Sequence, residues 1–402
     1  MPYIIESALG AFFAIYLLIV CVLVVGWIRA QRIPVTAALS HVKSSDSRSL
    51  ISVLIAARNE ANRLPLLIRD LKQQRGCNFE VIIINDGSED ETVVHSLDAI
   101  GGDPRFSLIE SIARGKKAAL TLGVSHAKGS IILTTDGDCR VGPEWIADMT
   151  SAFYDPSLML VFGPVRIIGS SSLFDKLQSI EFTSLIGVAA ATAALQKPTM
   201  CNGANLSYRK EVFAKVGGYS SNLDVPSGDD EFLMRKILKV YPRSIQYCSG
   251  RGAMVTTAPA STLKAFFHQR LRWAGKWRYN DEPTAQLLAT YVFLFHLTTI
   301  LLPWLPLFHI VTPSFAIAGF TARAVGELVY LKIVTEKLDI PWRWGAFFVL
   351  QFVYSYYVVV VAICSQFFEF EWKGRRLRSF SNQGSIPDTK EEISTLPHGT
   401  RR

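Results

Sequence analysis

Two hydrophobic periods alternate along the first third of the chain. The runs "ISVLIAA" (51–57), "FEVIIIND" (79–86), "RFSLIE" (105–110) and "SIILTT" (130–135) are short, rich in β-branched residues and bounded by polar positions, the pattern of buried strands. Between them, "RLPLLIRDLKQQ" (63–74), "DETVVHSLDAI" (90–100) and "GKKAALTLGVSHA" (115–127) carry apolar residues at helical spacing. Strands alternating with helices predict an α/β domain, a mostly parallel sheet covered on both faces. Ligands of such sheets bind beyond the C-terminal ends of the strands. Asp86 ends the second strand and Asp136 follows the fourth, so both acids are expected on one rim. From about residue 150 the alternation loosens. There, 171–195 reads as one long, mostly apolar helix, lying on a membrane surface or buried in the body, and 231–240 as an amphipathic helix.

A second pattern lies outside this region. No Asp, Glu, Lys or Arg occurs from Ala8 to Trp27, from Pro283 to Ala322 or from Trp344 to Phe368. About 20 apolar residues span a bilayer core, so each run is a membrane-span candidate. The first has no basic residue before it and no small-residue cleavage site after it, which predicts an anchor and not a cleaved leader. Glu6 precedes it, and Arg29, Arg32, Lys43 and Arg48 follow, placing the N-terminus outside and the next segment in the cytoplasm. The second run is long enough to cross twice, turning near Pro303 and Pro306, with 322–338 interfacial. That count puts "WKGRRLR" (372–378) outside, against the charge rule, so either one run is re-entrant or the second crosses once. His296 and His309 read as packed or interfacial groups.

Composition fits this division. Of 402 residues, 49% are hydrophobic and 19% charged, with a net charge of +8. The basic residues flank apolar segments, which fits anionic lipid, and no aromatic-rich pattern points to nucleic acid. Neither the six cysteines nor the seven histidines fall at ligand spacing, so neither zinc nor disulfides are expected. Residues 41–49 read as a polar linker, and the tail after Arg378 as disordered.

Candidate chemistry sits where strands meet loops. In "AARNEANR" (56–63), Glu60 can face a ligand, while Asn59 or Asn62 can simply cap a helix. Asp86 in "INDGSEDET" (84–92) can accept from a nucleobase or ribose, or belong to a turn capped by Ser88 or Asp90. Gly115 and Lys116 precede a helix and can meet a phosphate, or form a solvated basic turn. In "TDGDC", Asp136 and Asp138 flank a glycine; they make a polar turn, or place hard oxygen ligands on Mg²⁺ or Mn²⁺ beside a diphosphate. In "PSGDDEFLMR" (226–235), Ser227 or Asp229 can cap a helix, or Asp230 can serve as general base. In "FHQRLRWAGKWRY" (267–279), an interfacial aromatic and basic belt accounts for Trp277 and Arg278 but does not require Gln269, Arg272 and Trp273 at their spacing. Arg272 can hold a diphosphate bidentately and Trp273 can face a sugar ring.

Taken in order, "NDGS", "DGD", "GDDEFL" and "QRLRW", with "CNGANLSYRKEVFAKVGGY" (201–219), resemble the family 2 glycosyltransferases. These are inverting enzymes with a GT-A fold, and the likeness is strongest to membrane-bound members such as cellulose, chitin and hyaluronan synthases and ceramide glucosyltransferase. The likeness covers about 51–280. It implies an N-terminal transmembrane helix (1–30), a cytoplasmic GT-A domain (31–283), C-terminal transmembrane or interfacial helices (284–370) and a basic tail (371–402). It further implies that Glu60, Asp86, Lys116, Asp136, Gln269 and Arg272 bind a nucleotide-sugar, with UDP as the expected nucleotide. Asp138 with Asp136 would hold Mg²⁺ or Mn²⁺, Asp230 would be the base, and Trp273 and Asp229 would meet the acceptor. The base motif reads Gly-Asp-Asp where relatives often have Glu-Asp, which keeps Asp229 a candidate for the base. The expected partners are the donor, a lipid-linked or saccharide acceptor and the bilayer, with no nucleic acid; the expected location is the inner (plasma) membrane. A processive synthase, a non-catalytic nucleotide-binding scaffold and a nucleotidyltransferase are the alternatives. The last lacks its glycine-rich N-terminal phosphate loop here.

Overall fold

The computed structural model describes residues 2–32, 50–169, 172–220, 225, 227–276, 282–367, 370–372 and 375–377. The linker 41–49, the belt residues Trp277 and Arg278, and the tail after Leu377 lie outside these.

The alternating region folds as its periods predict. Strands β1 (Ile51–Ala57), β2 (Phe79–Asn85), β3 (Phe106–Glu110) and β4 (Ile131–Thr134) alternate with helices α2 (Leu64–Lys72), α3 (Thr92–Ile100) and α4 (Lys116–His126). β1 lies between β2 and β4, parallel to both, with Val53 facing Val81 on one side and Leu133 on the other. Every residue of β4 and all but Ala56 of β1 are buried, which is why these strands read as continuous apolar runs. β3 extends the sheet beyond β2 in parallel.

The later strands make the sheet mixed. β6 (Leu160–Phe162), β8 (Leu206–Arg209) and β9 (Ile245–Tyr247) complete the order β3-β2-β1-β4-β8-β6-β9, with β8 antiparallel to both of its neighbours. A smaller sheet joins β5 (Arg140–Val141), β10 (Val255–Thr257) and β7 (Val165–Ile167). α5 (Trp145–Ser151) buries Trp145, whose indole donates to Asn205 Oδ1 at 2.9 Å. α7 (Lys210–Lys215) follows β8 directly. The chain reverses its strand order between β1 and β4, the kind of switch point where α/β sheets open a ligand crevice.

The apolar segments are helical: α1 (Pro2–Arg32), α6 (Leu173–Ala194), α10 (Pro283–Leu301), α11 (Pro313–Lys337) and α12 (Trp344–Cys364). Among the described residues, α1 from Tyr3, α6, α10 and α12 are long and apolar enough to cross a membrane. α6 is also largely buried, and its alternative as a surface-lying helix gives way to packing against α1. A Cβ on Gly26 would stand 2.6 Å from Ala191 O, so only glycine permits that approach. The run 283–322 breaks near Pro303 and Pro306 as expected, but the second half does not stop at 322. It continues as α11 to Lys337, and Arg323 is buried inside the bundle. Arg323 Nε donates to Glu327 Oε1 at 2.8 Å, while Tyr16 and Gln351 donate to the same carboxylate, so the ion pair is solvated by neighbouring helices.

Candidate active site

The loops at the strand ends are laced together. Asn59 takes φ 52° after β1; its N–H donates to Ser88 Oγ at 3.1 Å and its Oδ1 accepts from Glu89 N at 2.9 Å. Glu60 N donates to Thr92 Oγ1 at 2.7 Å. The capping explanation therefore fails for Asn59 and Ser88. The N-cap positions of α2 and α3 are Arg63 and Glu91, neither with a side-chain cap, and Asn59 and Ser88 bond across the two loops; of the residues offered as caps, Asp90 alone takes a helix-start N–H, its Oδ1 accepting from Thr92 N at 3.1 Å. Glu60 and Asp86 are both buried in this seam and do not line the cleft described next. Asp86 Oδ1 accepts from Gly115 N at 2.8 Å, which ties the end of β2 to the start of α4.

Beside that seam opens a cleft of about 2360 Å³. Lys116, Asp136, Asp138, Asp229, Asp230, Gln269, Arg272 and Trp273 all line it, although they come from four distant parts of the chain. Lys116 Nζ stands 2.7 Å from Asp136 Oδ1 and 3.0 Å from Asp229 Oδ2, bridging the β4 turn to α8 (Asp229–Val240). Burial works against its charge, yet the two carboxylates outweigh it and hold the ammonium above the usual lysine value.

Asp229 and Asp230 open α8 behind Gly228, which takes the N-cap in a left-handed conformation where the sequence offered Ser227 or Asp229. Asp230 Oδ2 accepts from Gly203 N at 2.9 Å and Oδ1 from Glu231 N at 2.7 Å. Burial holds the Asp230 carboxyl above the usual carboxylate range; Lys276 pulls it down, while Asp229 and Glu231 add to the rise. Gly203 matters here as a close approach. A Cβ on it would lie 2.9 Å from Asp229 Oδ2 and 3.3 Å from Lys116 Nζ.

The ligand atoms of Asp136, Asp138 and Cys139 lie within 4.8 Å of one another. Burial, then Asp138 and Asp136, pushes the Cys139 thiol up, so the hard carboxylate oxygens are the natural donors of the group. A divalent cation with a preference for oxygen fits that donor set. Arg63 Nη1 stands 3.5 Å from Asp138 Oδ2 at the cleft mouth.

α9 (Leu263–Gly275) supplies the last wall. Arg272 lies in the field of Asp136, Asp229, Asp230 and Asp138, although burial lowers its pKa on balance. Trp273 packs against Phe182 of α6, ring centres 5.9 Å apart. The cleft then continues between the apolar helices, past Leu18 and Val22 of α1, Ala189 of α6, Phe293 of α10 and Val358 of α12.

Four contributors were not singled out from the sequence: Gly203, Glu181, Arg270 and the Glu231–Lys276 pair. Glu181 carried a signal, because no charged residue follows it in α6 and an acid in such a helix needs a partner.

Comparison with known proteins gives the site a context. Residues 52–217 match the family model described as "Glycosyl transferase family 2". The poly-beta-1,6-N-acetyl-D-glucosamine synthase of Staphylococcus aureus (strain MSSA476) is 28% identical over 228 residues, 56% of this chain and 53% of that protein. The synthase of the same name from Staphylococcus epidermidis (strain ATCC 35984) is 27% identical over 227 residues, with the same coverage. The chain spans about half the length of these curated relatives. Among solved structures, the mannosyltransferase PcManGT from Pyrobaculum calidifontis, in complex with GDP-Man and Mn²⁺, superposes with a TM-score of 0.54 at 18% identity, covering 91% of this chain and 99% of that one. That likeness is one of fold.

Proposed function

We propose that the chain, whose residues 52–217 match the glycosyl transferase family 2 model, is a glycosyltransferase that moves a sugar from a nucleotide-sugar, UDP-linked, to a lipid-borne acceptor with inversion at the anomeric carbon. The observation that supports this reading best is the continuous cleft, which runs from the aspartates to the faces of α1, α6, α10 and α12. An acceptor with an apolar tail can lie between those helices while its hydroxyl reaches Asp230.

Each residue has a role in this reading. Asp86 and Glu60 shape the strand-end seam on the nucleotide side. Asp138 and Asp136 would hold Mg²⁺ or Mn²⁺, which supplies positive charge to the diphosphate when bound. Lys116 and Arg272 offset negative charge as it develops on the leaving diphosphate. Asp230 is fixed by the N–H groups of Gly203 and Glu231, and its raised pKa makes it a stronger base than an ordinary carboxylate. It takes the proton from the acceptor hydroxyl. The oxygen attacks the anomeric carbon from the face opposite the diphosphate, the bond from that carbon to the diphosphate oxygen breaks, and its electron pair leaves with the nucleotide. Gln269 stands on the diphosphate side, and Trp273 and Asp229 on the acceptor side. The domain body then lies on the cytoplasmic face of the inner (plasma) membrane.

A processive polysaccharide synthase is the second reading, favoured by the Staphylococcus relatives, whose name is that of a polymer synthase. Membranes containing the full chain, incubated with labelled nucleotide-sugars and a divalent cation, separate the two. Label in a short, lipid-extractable product supports single transfer; a long polymer supports the synthase; no incorporation from any donor sinks both.

A further inference from the structure

We propose that Glu181 and Arg270 are positioning residues of this site, a buried pair that sets Gln269 and Trp273 in place; the inference rests on the transferase reading above. Both residues are buried although charged. Arg270 Nε donates to Glu181 Oε1 at 3.2 Å and Nη2 donates to Oε2, a two-pronged contact between α9 and α6. The remaining nitrogen, Nη1, donates to Gln269 Oε1 at 2.7 Å. The flat face of the guanidinium lies 4.3 Å from the Trp273 ring centre and 4.5 Å from that of Phe266. One side chain thus touches two of the three groups that the Gln-x-x-Arg-Trp motif contributes.

Glu181 is itself held from the membrane side. Tyr357 Oη of α12 donates to its Oε1 at 3.3 Å, and the Tyr357 ring packs on Phe266 at 5.5 Å. At the other end of the same segment, Lys276 Nζ stands 2.5 Å from Glu231 Oε2, one residue after the base. The motif helix is therefore held by two ion pairs, one within it at Arg270, to α6 with α12 behind, and one at its C-cap Lys276, to the base helix.

Stability alone does not account for the Glu181–Arg270 pair, because apolar residues of similar volume commonly serve as well. Orientation does. A planar guanidinium fixes an amide oxygen at its edge and a ring on its face at once, which neither an apolar residue nor lysine reproduces.

The test uses the full chain in detergent and in membranes, with Glu181→Gln, Arg270→Lys and the milder Tyr357→Phe. Hydrogen exchange across 263–276 is expected to quicken roughly tenfold in the first two, while β1 and β2 exchange as in the wild type. UDP with Mn²⁺ should still bind with unchanged stoichiometry, and kcat for transfer of labelled sugar into native membranes should fall roughly tenfold or more. Tyr357→Phe removes one donor only and should lower kcat about threefold, which keeps the test alive if Glu181→Gln does not fold. Unchanged exchange across 263–276, or transfer retained within about twofold despite faster exchange, overturns the proposal. A fall in UDP stoichiometry that matches the fall in rate also overturns it, because that marks loss of folded protein. If the wild-type chain transfers no sugar while the variants still loosen 263–276, the clamp stands and the transferase reading fails.

Discussion

Replacing Gly203 by alanine adds a single carbon at the most crowded point of the site. The new Cβ would lie 2.9 Å from Asp229 Oδ2, 3.3 Å from Lys116 Nζ and 3.5 Å from Asp230 Cβ. A comfortable carbon–oxygen contact is about 3.5 Å, so the carboxylate must move by roughly half an ångström. It cannot do so freely. Lys116 holds it at 3.0 Å and is itself fixed 2.7 Å from Asp136, and Gly203 N anchors the next carboxylate. Overpacking of this kind costs about 1–3 kcal/mol. If the strain falls on the arrangement that reacts, transfer slows roughly 5- to 150-fold, since each 1.4 kcal/mol is worth about tenfold. The assay is the initial rate of sugar incorporation, normalised to folded protein by its thermal transition. Gly142→Ala is the control, because a Cβ there meets nothing within 4 Å. A Gly203→Ala rate within about twofold of the wild type would refute the reasoning, since an arrangement that absorbs the strain without loss is not the one that reacts.

Asp138→Asn should abolish cation-dependent transfer while leaving the thermal transition in place, measured as rate against Mn²⁺ concentration; chelation of the wild-type protein should do the same and added Mn²⁺ should reverse it. Asp230→Asn should lower the rate about 10²- to 10⁴-fold. In the wild type, Asp230 acts deprotonated and its pKa is raised, so activity should be lost as pH falls through a value above the ordinary aspartate figure of about 3.9; a limb at or below that figure in the pH–rate profile would count against Asp230 as the base. Gly26→Leu should lower the melting temperature in detergent, because the added side chain meets Ala191 O and Leu195, whereas Gly10→Ala, with its nearest contact at 3.8 Å, should be neutral.

The parallel half of the sheet was readable because β1, β2 and β4 are buried on both faces, so each of those runs of apolar residues ends where the backbone meets solvent. That ending placed Asp86 and Asp136 near their true positions. The mixed half was not readable. β6, β8 and β9 are three or four residues long, too short for a period, and their order follows from tertiary pairing of segments distant in sequence. Cap prediction failed at Asn59 and Ser88 for the same reason at a smaller scale: both had local partners available and took each other, while Asp90 does accept from the first N–H of α3. The Gln-x-x-Arg-Trp segment announced its outward residues, but Arg270, which sits between them, read as one more basic residue of an interfacial belt. Its role exists only once α6 brings Glu181 alongside.

Asp136 and Asp229 share one ammonium, Asp138 has a half-exposed Arg63 at 3.5 Å, and the single guanidinium of Arg272 serves the field of all four aspartates. Asp230 stays above its ordinary pKa although Lys276 and Lys116 both pull it down, so burial and the neighbouring acids outweigh the cations at that point. A folded protein tolerates such a surplus of carboxylate where binding draws on it, because each acid must otherwise be desolvated without full compensation. In the proposed reading, Asp138 and Asp136 would hold a divalent cation that relieves the surplus on one side of the cleft, leaving Asp230 free to act as a base on the other. In the proposed reaction, two carboxylate sites separated by the Lys116 ammonium would divide the labour between leaving group and nucleophile, which a single merged acidic cluster would not do.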